Sequence, residues 1–347
     1  MAAGRCLITG GSGFLGINLV RHLLTLGVPI RSLDIAAFDY PEKDRVEAIL
    51  GDIRDTAAVD AAVADVDAVV HCAAALPLAA ASEIMSTGVE GTRVLLEAAL
   101  RHGVARFVYI SSTAVYGIPD HHPIVEEDPL DGVGPYGRAK IAAERLCADF
   151  RARGLCVPVL RPKTFVGPER LGVFEILYDW AFEGRAFPLL GRGDNRYQLL
   201  DVSDLCEVIR LCLTLDRTVV DDTFNVGAKE FGTMRENVQA VLERAGHGRK
   251  AVALPAAPVI LALRALRALG VSPLYEWIYE TASRDSWASI ERLQSRLGFT
   301  PRRSNVEALT ANYDWYAAHR GEYLGRSGIS HRVPWNQGFL RYAKKFF

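Results

Sequence analysis

Tyr136 and Lys140 stand four residues apart in the segment Pro135-Tyr136-Gly137-Arg138-Ala139-Lys140, and on a helix that spacing puts both side chains on one face. A phenol, with an ordinary pKa of about 10, is a poor base at neutral pH. A neighbouring ammonium and an oxidised nicotinamide stabilise the phenolate and bring it toward useful acidity. Such a pair could take a proton from an alcohol and return it. The same spacing arises by chance in many helices, so its meaning depends on the rest of the chain.

Gly10, Gly13 and Gly16 fall between an expected strand and an expected helix, with Phe14 and Leu15 inside the same turn. There a tight turn lets backbone amides and a helix N-terminus meet a pyrophosphate, an approach that side chains would block. The second expected strand ends at Leu33-Asp34. A carboxylate in that place accepts hydrogen bonds from an adenosine ribose and repels a 2′-phosphate, which favours NAD over NADP without excluding use of both. Arg31 lies too early on the strand to read such a phosphate.

These residues need a scaffold. Strands are expected at Arg5–Thr9, Pro29–Leu33, Ala68–His71, Arg106–Ser111 and Cys156–Arg161. Between them fall helices at Phe14–Leu26, Thr56–Ala64, Val89–His102 and Tyr136–Arg153. This alternation implies an α/β, doubly wound parallel sheet of six or seven strands. The second half is less regular, with helices near Glu175–Phe182, Ser203–Thr214 and Met234–Ala245 and short strands at Gln198–Asp201 and Asp222–Val226. It reads as a smaller α+β lid. We therefore expect a Rossmann domain over 1–165, to which 196–228 returns, a substrate-binding lid over 166–325 and a basic aromatic tail over 326–347, with the substrate taken up beneath the lid.

The chain has 347 residues, half of them hydrophobic and 23% charged, with a formal charge of −1. That composition supports a folded core and a small-molecule substrate, and points to no nucleic acid partner. The six cysteines, Cys6, Cys72, Cys147, Cys156, Cys206 and Cys212, show neither metal-ligand nor disulfide spacing, so no metal and a reducing compartment are expected. Cys206 and Cys212 fall in an apolar helical pattern and read as core. The N-terminus enters a strand at once and leaves no room for a signal sequence. A cytoplasmic protein follows. The apolar stretch Pro255–Leu274 is broken by Arg264 and Arg267, too polar for a membrane span.

Taken together, several segments resemble the extended short-chain dehydrogenase/reductases, the NAD-dependent nucleotide-sugar epimerases and dehydratases with related hydroxysteroid dehydrogenases. The carriers are TGGSGFLG at Thr9–Gly16, Asp34, GDIRD at Gly51–Asp55, HCAA at His71–Ala74, YISSTAVYG at Tyr109–Gly117, PYGRAK at Pro135–Lys140 and LRPKTFVGP at Leu160–Pro168. The likeness spans roughly residues 5–315. It implies that Asp52 and Ile53 flank the adenine, that Cys72, Ala73 and Ala74 line the pyrophosphate and ribose, and that Lys140 also holds the nicotinamide ribose. It implies too that Pro162 to Phe165, Thr164 among them, cover the nicotinamide. Ser112 matches the position whose hydroxyl holds the substrate oxygen, with Thr113 as the fallback. The likeness makes a homodimer the default, through the helices near Val89–His102 and Tyr136–Arg153.

Relatives that eliminate water carry an acidic pair after the hydroxyl residue, and decarboxylases a glutamate before the valine. Here those places hold Thr113 and Ala114, which serve as neither acid nor base. Epimerisation of a nucleotide sugar at C4 or plain redox remains. His122-Pro-Ile-Val-Glu-Glu-Asp-Pro and Arg196 look like the sugar-nucleotide members, where such an arginine meets the diphosphate. Against them stand Gly88 and Thr164 in place of two asparagines, and Arg284 as the only arginine near Ala282–Asp285. The alternative is a sterol or lipid alcohol dehydrogenase, supported by the apolar stretch Leu254–Tyr279 and the shared Leu160–Pro162 opening. A third reading, a non-catalytic NAD sensor, is opposed by the intact Ser112, Tyr136 and Lys140. The tail His331–Phe347 interleaves Arg332, Arg341, Lys344 and Lys345 with Trp335, Phe339, Tyr342, Phe346 and Phe347, a pattern that fits either peripheral membrane contact or packing on protein.

Overall fold

Short β-branched runs that are apolar on both faces can be strands only where helices cover both sides of a sheet. That is the arrangement here. The computed structural model describes residues 4–77, 79–268, 283–323, 344 and 347. The chain runs β1 (Cys6–Thr9), α1 (Phe14–Thr25), β2 (Ile30–Asp34), β3 (Val46–Leu50), α2 (Thr56–Val63), β4 (Ala68–His71), α3 (Ala81–Met85), α4 (Thr92–Arg101), β5 (Arg106–Ile110), α5 (Gly134–Ala152) and β6 (Val159–Pro162). It continues with β7 (Phe165–Val166), α6 (Val173–Phe182), β8 (Phe187–Leu190), β9 (Leu200–Asp201), α7 (Val202–Thr214), α8 (Arg217–Val220), β10 (Thr223–Val226), α9 (Met234–Ala245), β11 (Ala251–Leu254), α10 (Ala256–Ala268), α11 (Glu291–Leu297) and α12 (Asn305–Tyr323).

Two units emerge. The first comprises Met1–Lys163, Val202–Gly227 and Ala288–Thr300. Its sheet has seven parallel strands in the order β10-β6-β5-β4-β1-β2-β3. The strand order reverses beside β1, between β2 on one side and β4 on the other, the place where open α/β sheets bind ligands at their carboxyl ends. One core layer packs Leu7, Val69, Phe107 and Tyr109 under Leu95, Leu96, Cys147 and Phe150 of the covering helices.

Three local features depart from the expectations. β3 was not among the expected strands: the segment Val46–Leu50 pairs with β2, but only one of its residues is fully buried, so it lacks an apolar run. The helix expected from Val89 begins earlier, as α3, and passes through a π-helical segment at Ser86–Gly91 before α4. β6 starts only at Val159, because Pro158 has no amide to give to the ladder, although Cys156 and Pro158 still accept from Phe107 and Tyr109.

The second unit comprises Thr164–Asp201, Ala228–Trp287 and Pro301–Phe347. It holds two parallel strand pairs, β7 with β9 and β8 with β11. Around a core of Leu177, Tyr178, Val241, Leu242, Leu309 and Tyr313 pack α6, α9 and α12. α9 is delimited by its own sequence: Thr233 and Glu236 form a reciprocal capping box, and Gly246 ends the helix in the left-handed region. Asn305 at the start of α12 accepts from Leu199 N–H and donates to the Tyr197 carbonyl.

Of the basic aromatic tail, Lys344 and Phe347 are described, and both pack onto α6. Lys344 pairs with Asp179 and Glu183, and the Phe347 ring lies 5.8 Å from that of Trp180. The rest of the tail reading, on Arg332, Trp335, Phe339, Arg341, Tyr342, Lys345 and Phe346, and the part of Leu254–Tyr279 after residue 268, lie outside the described residues. Among the described residues no helix is long and apolar enough to cross a membrane.

Candidate active site

The glycine turn is shaped by what surrounds it. Gly10 has φ +72°, and a Cβ there would stand 2.7 Å from the Ala73 amide nitrogen. A Cβ on Gly16 would meet the Gly10 carbonyl at 2.1 Å. Gly13 is the N-cap of α1, which opens with Phe14 and Leu15, and as a glycine it places no side chain over the start of that helix. Asp34 accepts from the Ser12 and Ala36 amides, both at 2.9 Å, and so presents a carboxylate beside the turn. This cradle fits a dinucleotide: space where side chains would clash, a helix N-terminus for the pyrophosphate and a carboxylate for the ribose. Arg31 points away from it and donates to the carbonyls of Ala62 and Ala64 at the end of α2.

Cys72 and Ala73 donate to Thr9, so the HCAA segment lies against the glycine turn. Cys72 is the least enclosed of the six cysteines; the other five are buried, and all six are free thiols. Burial pushes Cys6 and Cys212 up to about 12, which leaves them inert thiols. Asp52 is held by Arg54 at 2.6 Å, and Ile53 is buried under Gly91.

Tyr136 and Lys140 occupy the first turns of α5, which opens with Pro135 in its first turn. The Lys140 side chain is 7% exposed; its Nζ donates to the Ile110 carbonyl at 2.7 Å and lies 5.9 Å from the centre of the Tyr136 ring. Burial draws its pKa down from 10.5 to about 8, so the ammonium persists at neutral pH but not far above it. Ser112 follows β5 and caps the short 3-10 turn Thr113–Tyr116: its Oγ accepts from the Ala114 amide at 3.1 Å. That bond occupies a lone pair and leaves the hydroxyl proton able to reach a substrate oxygen. Thr113 Oγ1 is turned to the Pro162 carbonyl at 3.4 Å.

Two site features were passed over in the sequence. Gly137 lets α5 approach that turn, since a Cβ there would stand 2.9 Å from the Ala114 carbonyl and 2.8 Å from Gly132. A glycine inside a helix beside the tyrosine was the available signal. Lys163 is a buried lysine whose pKa burial lowers to about 7; its signal was a single charge within LRPKTFVGP. Gly88 sits close to α5: a Cβ there would come 3.1 Å from the Ala139 Cβ, a tight contact.

The acidic loop before α5 serves as a brace. The Glu126 carbonyl accepts from Arg161, and its carboxylate from the Asn225 amide. In the second unit the Thr164 carbonyl accepts from Leu200, and its side chain bonds Tyr197. Phe165 forms β7. Arg196 is exposed, its guanidinium stacked 4.7 Å from both the Phe231 and Trp287 rings. The two rings stand 6.1 Å apart, both to one side of the guanidinium, and hold it by cation–π contact at the surface. Arg284 is exposed, and its carbonyl accepts from Asn195.

Residues 6–227 match the NAD dependent epimerase/dehydratase family. A dTDP-glucose 4,6-dehydratase of Streptomyces niveus is 31% identical over 91% of this chain and 94% of its own. A 3 beta-hydroxysteroid dehydrogenase/Delta 5-->4-isomerase of Mycobacterium tuberculosis is 29% identical over 91% of both. Among solved structures, the UDP-glucose 4-epimerase of Thermotoga maritima, determined with UDP-glucose, superposes with a TM-score of 0.76 over 91% of this chain and 99% of its own, at 22% identity.

Proposed function

The chain belongs to the NAD dependent epimerase/dehydratase family, and on that premise we propose that it epimerises a nucleotide sugar by transient oxidation of a secondary alcohol. The observation that carries this reading is the strand-end turn: Ser112 stands beside an intact Tyr136–Lys140 row, while Thr113 and Ala114 offer no carboxylate. Proton transfer at an alcohol is provided for. Expulsion of water from a neighbouring carbon would need an additional acid and base, which that turn lacks.

In the reaction Ser112 holds the alcohol oxygen by a hydrogen bond and Tyr136, as phenolate, takes the hydroxyl proton. Lys140 stabilises the phenolate by its charge. When bound in the cradle, NAD would supply a hydride acceptor for oxidation of the carbinol carbon and a hydride donor for its reduction. The sugar, now a ketone, turns over before reduction, and Tyr136 returns the proton to the oxygen on the inverted carbon. Protons and hydride balance, and no reduced cofactor accumulates. We assign the exposed Arg196 guanidinium to the diphosphate, whose oxygens suit a planar N–H fork.

Incubation with UDP-galactose and, separately, UDP-glucose tests this. Interconversion of the sugars without net reduced cofactor is the expected result; neither sugar changing would remove the 4-epimerase assignment. The second reading, oxidation of a sterol or lipid alcohol, draws on α10, where Leu261 is 68% exposed beside exposed Ala257 and Pro258. Stoichiometric reduction of added NAD by a sterol alcohol would favour it.

A further inference from the structure

The row that carries Tyr136 and Lys140 does not end with them. One turn further along α5 stands Glu144, buried, in the same i, i+4 register. Arg161 of β6 grips its carboxylate with Nε at 3.0 Å from Oε1 and Nη2 at 2.6 Å from Oε2, and the Ser111 hydroxyl donates to it as well. Arg161 is held in turn by the Tyr116 hydroxyl at 2.7 Å, and Tyr116 donates to Asn225 at 2.8 Å. Three consecutive residues at the end of β5 are thereby tethered: Ile110 to Lys140, Ser111 to Glu144, and Ser112 to the turn it caps.

We propose that Glu144 is a positioning residue for the reacting set: anchored by Arg161 and Ser111 one helical turn beyond Lys140, its carboxylate acts through Lys140 to sustain the charge of the ammonium that serves Tyr136. The proposal rests on the assignment of Tyr136 and Lys140 and is independent of the substrate.

The surroundings of Lys140 support it. The titratable groups that face the ammonium are His71 and Cys72 at the end of β4, Tyr109 of β5, and Tyr136, Glu144 and Cys147 of α5. His71 is neutral, being drawn down to about 3 by its burial and by the Lys140 charge, and burial holds the Cys72 and Cys147 thiols protonated. Glu144 is the one carboxylate in this set. Its charge opposes the burial that strips Lys140 of its proton, and the ties to Arg161 and Ser111 prevent it from swinging closer or away.

A titration decides. The chain has seven lysines, Lys43, Lys140, Lys163, Lys229, Lys250, Lys344 and Lys345, few enough to follow each by carbon-13 NMR of selectively labelled protein, with Lys140→Arg to assign its signal. Lys163 is an internal control, because it too is buried yet burial alone shifts it. In the full-length protein Glu144→Gln should lower the Lys140 midpoint from about 8 and leave that of Lys163 in place. Glu144→Asp, which keeps the charge but draws it back, should shift Lys140 less in the same direction, and it decides the matter if Glu144→Gln does not fold. An unchanged Lys140 midpoint, or equal shifts at Lys140 and Lys163, would reduce Glu144 to a structural ion pair and overturn the proposal. Activity retained by Tyr136→Phe would instead remove the assignment on which it rests, a separate failure.

Discussion

His71 shows how closely single side chains are specified around the site. Its Nδ1 lies 2.7 Å from Thr9 Oγ1 and its Nε2 3.0 Å from Thr92 Oγ1, while Thr92 gives its own proton to the Gly88 carbonyl. Thr92 must therefore accept from Nε2–H, and Nδ1 accepts from Thr9. The network selects a neutral imidazole with a pKa pushed down to about 3 by burial and by the Lys140 charge. The unfolded chain takes up a proton as pH falls through 6.5, whereas the folded chain does not. Stability should thus decline by roughly 1.4 kcal/mol for each pH unit below that value, about 2 kcal/mol by about pH 5. Urea denaturation of the wild type against His71→Gln measures it, and equal pH slopes for the two would contradict the account. At this scale the glycine turn, Asp34, Tyr136 and Lys140 were legible because each depends on local backbone or helical spacing. Glu144, Arg161 and Lys163 were not, because their meaning lies in burial and in partners from distant strands.

At the scale of elements, α5 approaches the Thr113–Tyr116 turn closely, and in the proposed mechanism that approach sets the distance between Tyr136 and the Ser112 hydroxyl. Gly137 permits it, with the Ala114 carbonyl where a side chain would begin. Gly137→Ala should push the start of α5 outward and lower turnover by about 100-fold, the usual scale for a displacement of about 1 Å at a reacting pair, while NAD affinity changes little. Steady-state kinetics beside cofactor titration check this; unchanged turnover would show that the turn and helix are not so coupled. The buried Glu144–Arg161 pair gives a second expectation. Arg161→Met leaves the carboxylate without its main partner and should cost about 3–5 kcal/mol, read from denaturant midpoints; a loss below about 1 kcal/mol would contradict it. The alternation of strands and helices told the architecture of the sheet in advance, since period and apolar runs are sequence properties. β3 escaped because it is an edge strand with exposed side chains, and the π-helical segment because the apolar period that marks a helix does not mark a π-turn within it.

For the molecule as a whole, the first unit holds the glycine turn and the Tyr136–Lys140 row, and the second holds the stacked Arg196 and the docked Lys344 and Phe347. The return of residues 288–300 to the first unit has no mark in composition or period, whereas the shift after Pro168 from regular alternation to short strands did mark a second unit. In that unit Lys344 reaches Asp179, whose carboxyl is held below the usual range by Lys344 and Arg320 against its own burial. Lys344→Ala should destabilise the protein by about 2 kcal/mol, visible in its melting temperature; an unchanged temperature would show that the pairing of Lys344 with Asp179 and Glu183 contributes nothing to stability. The central claim is that Tyr136 carries the proton in a cofactor-neutral inversion of a sugar alcohol. The direct test is the rate at which the purified protein and its Tyr136→Phe variant, both loaded with NAD, convert UDP-galactose to UDP-glucose. The account predicts turnover by the first and nearly none by the second at equal NAD content; comparable rates would contradict it.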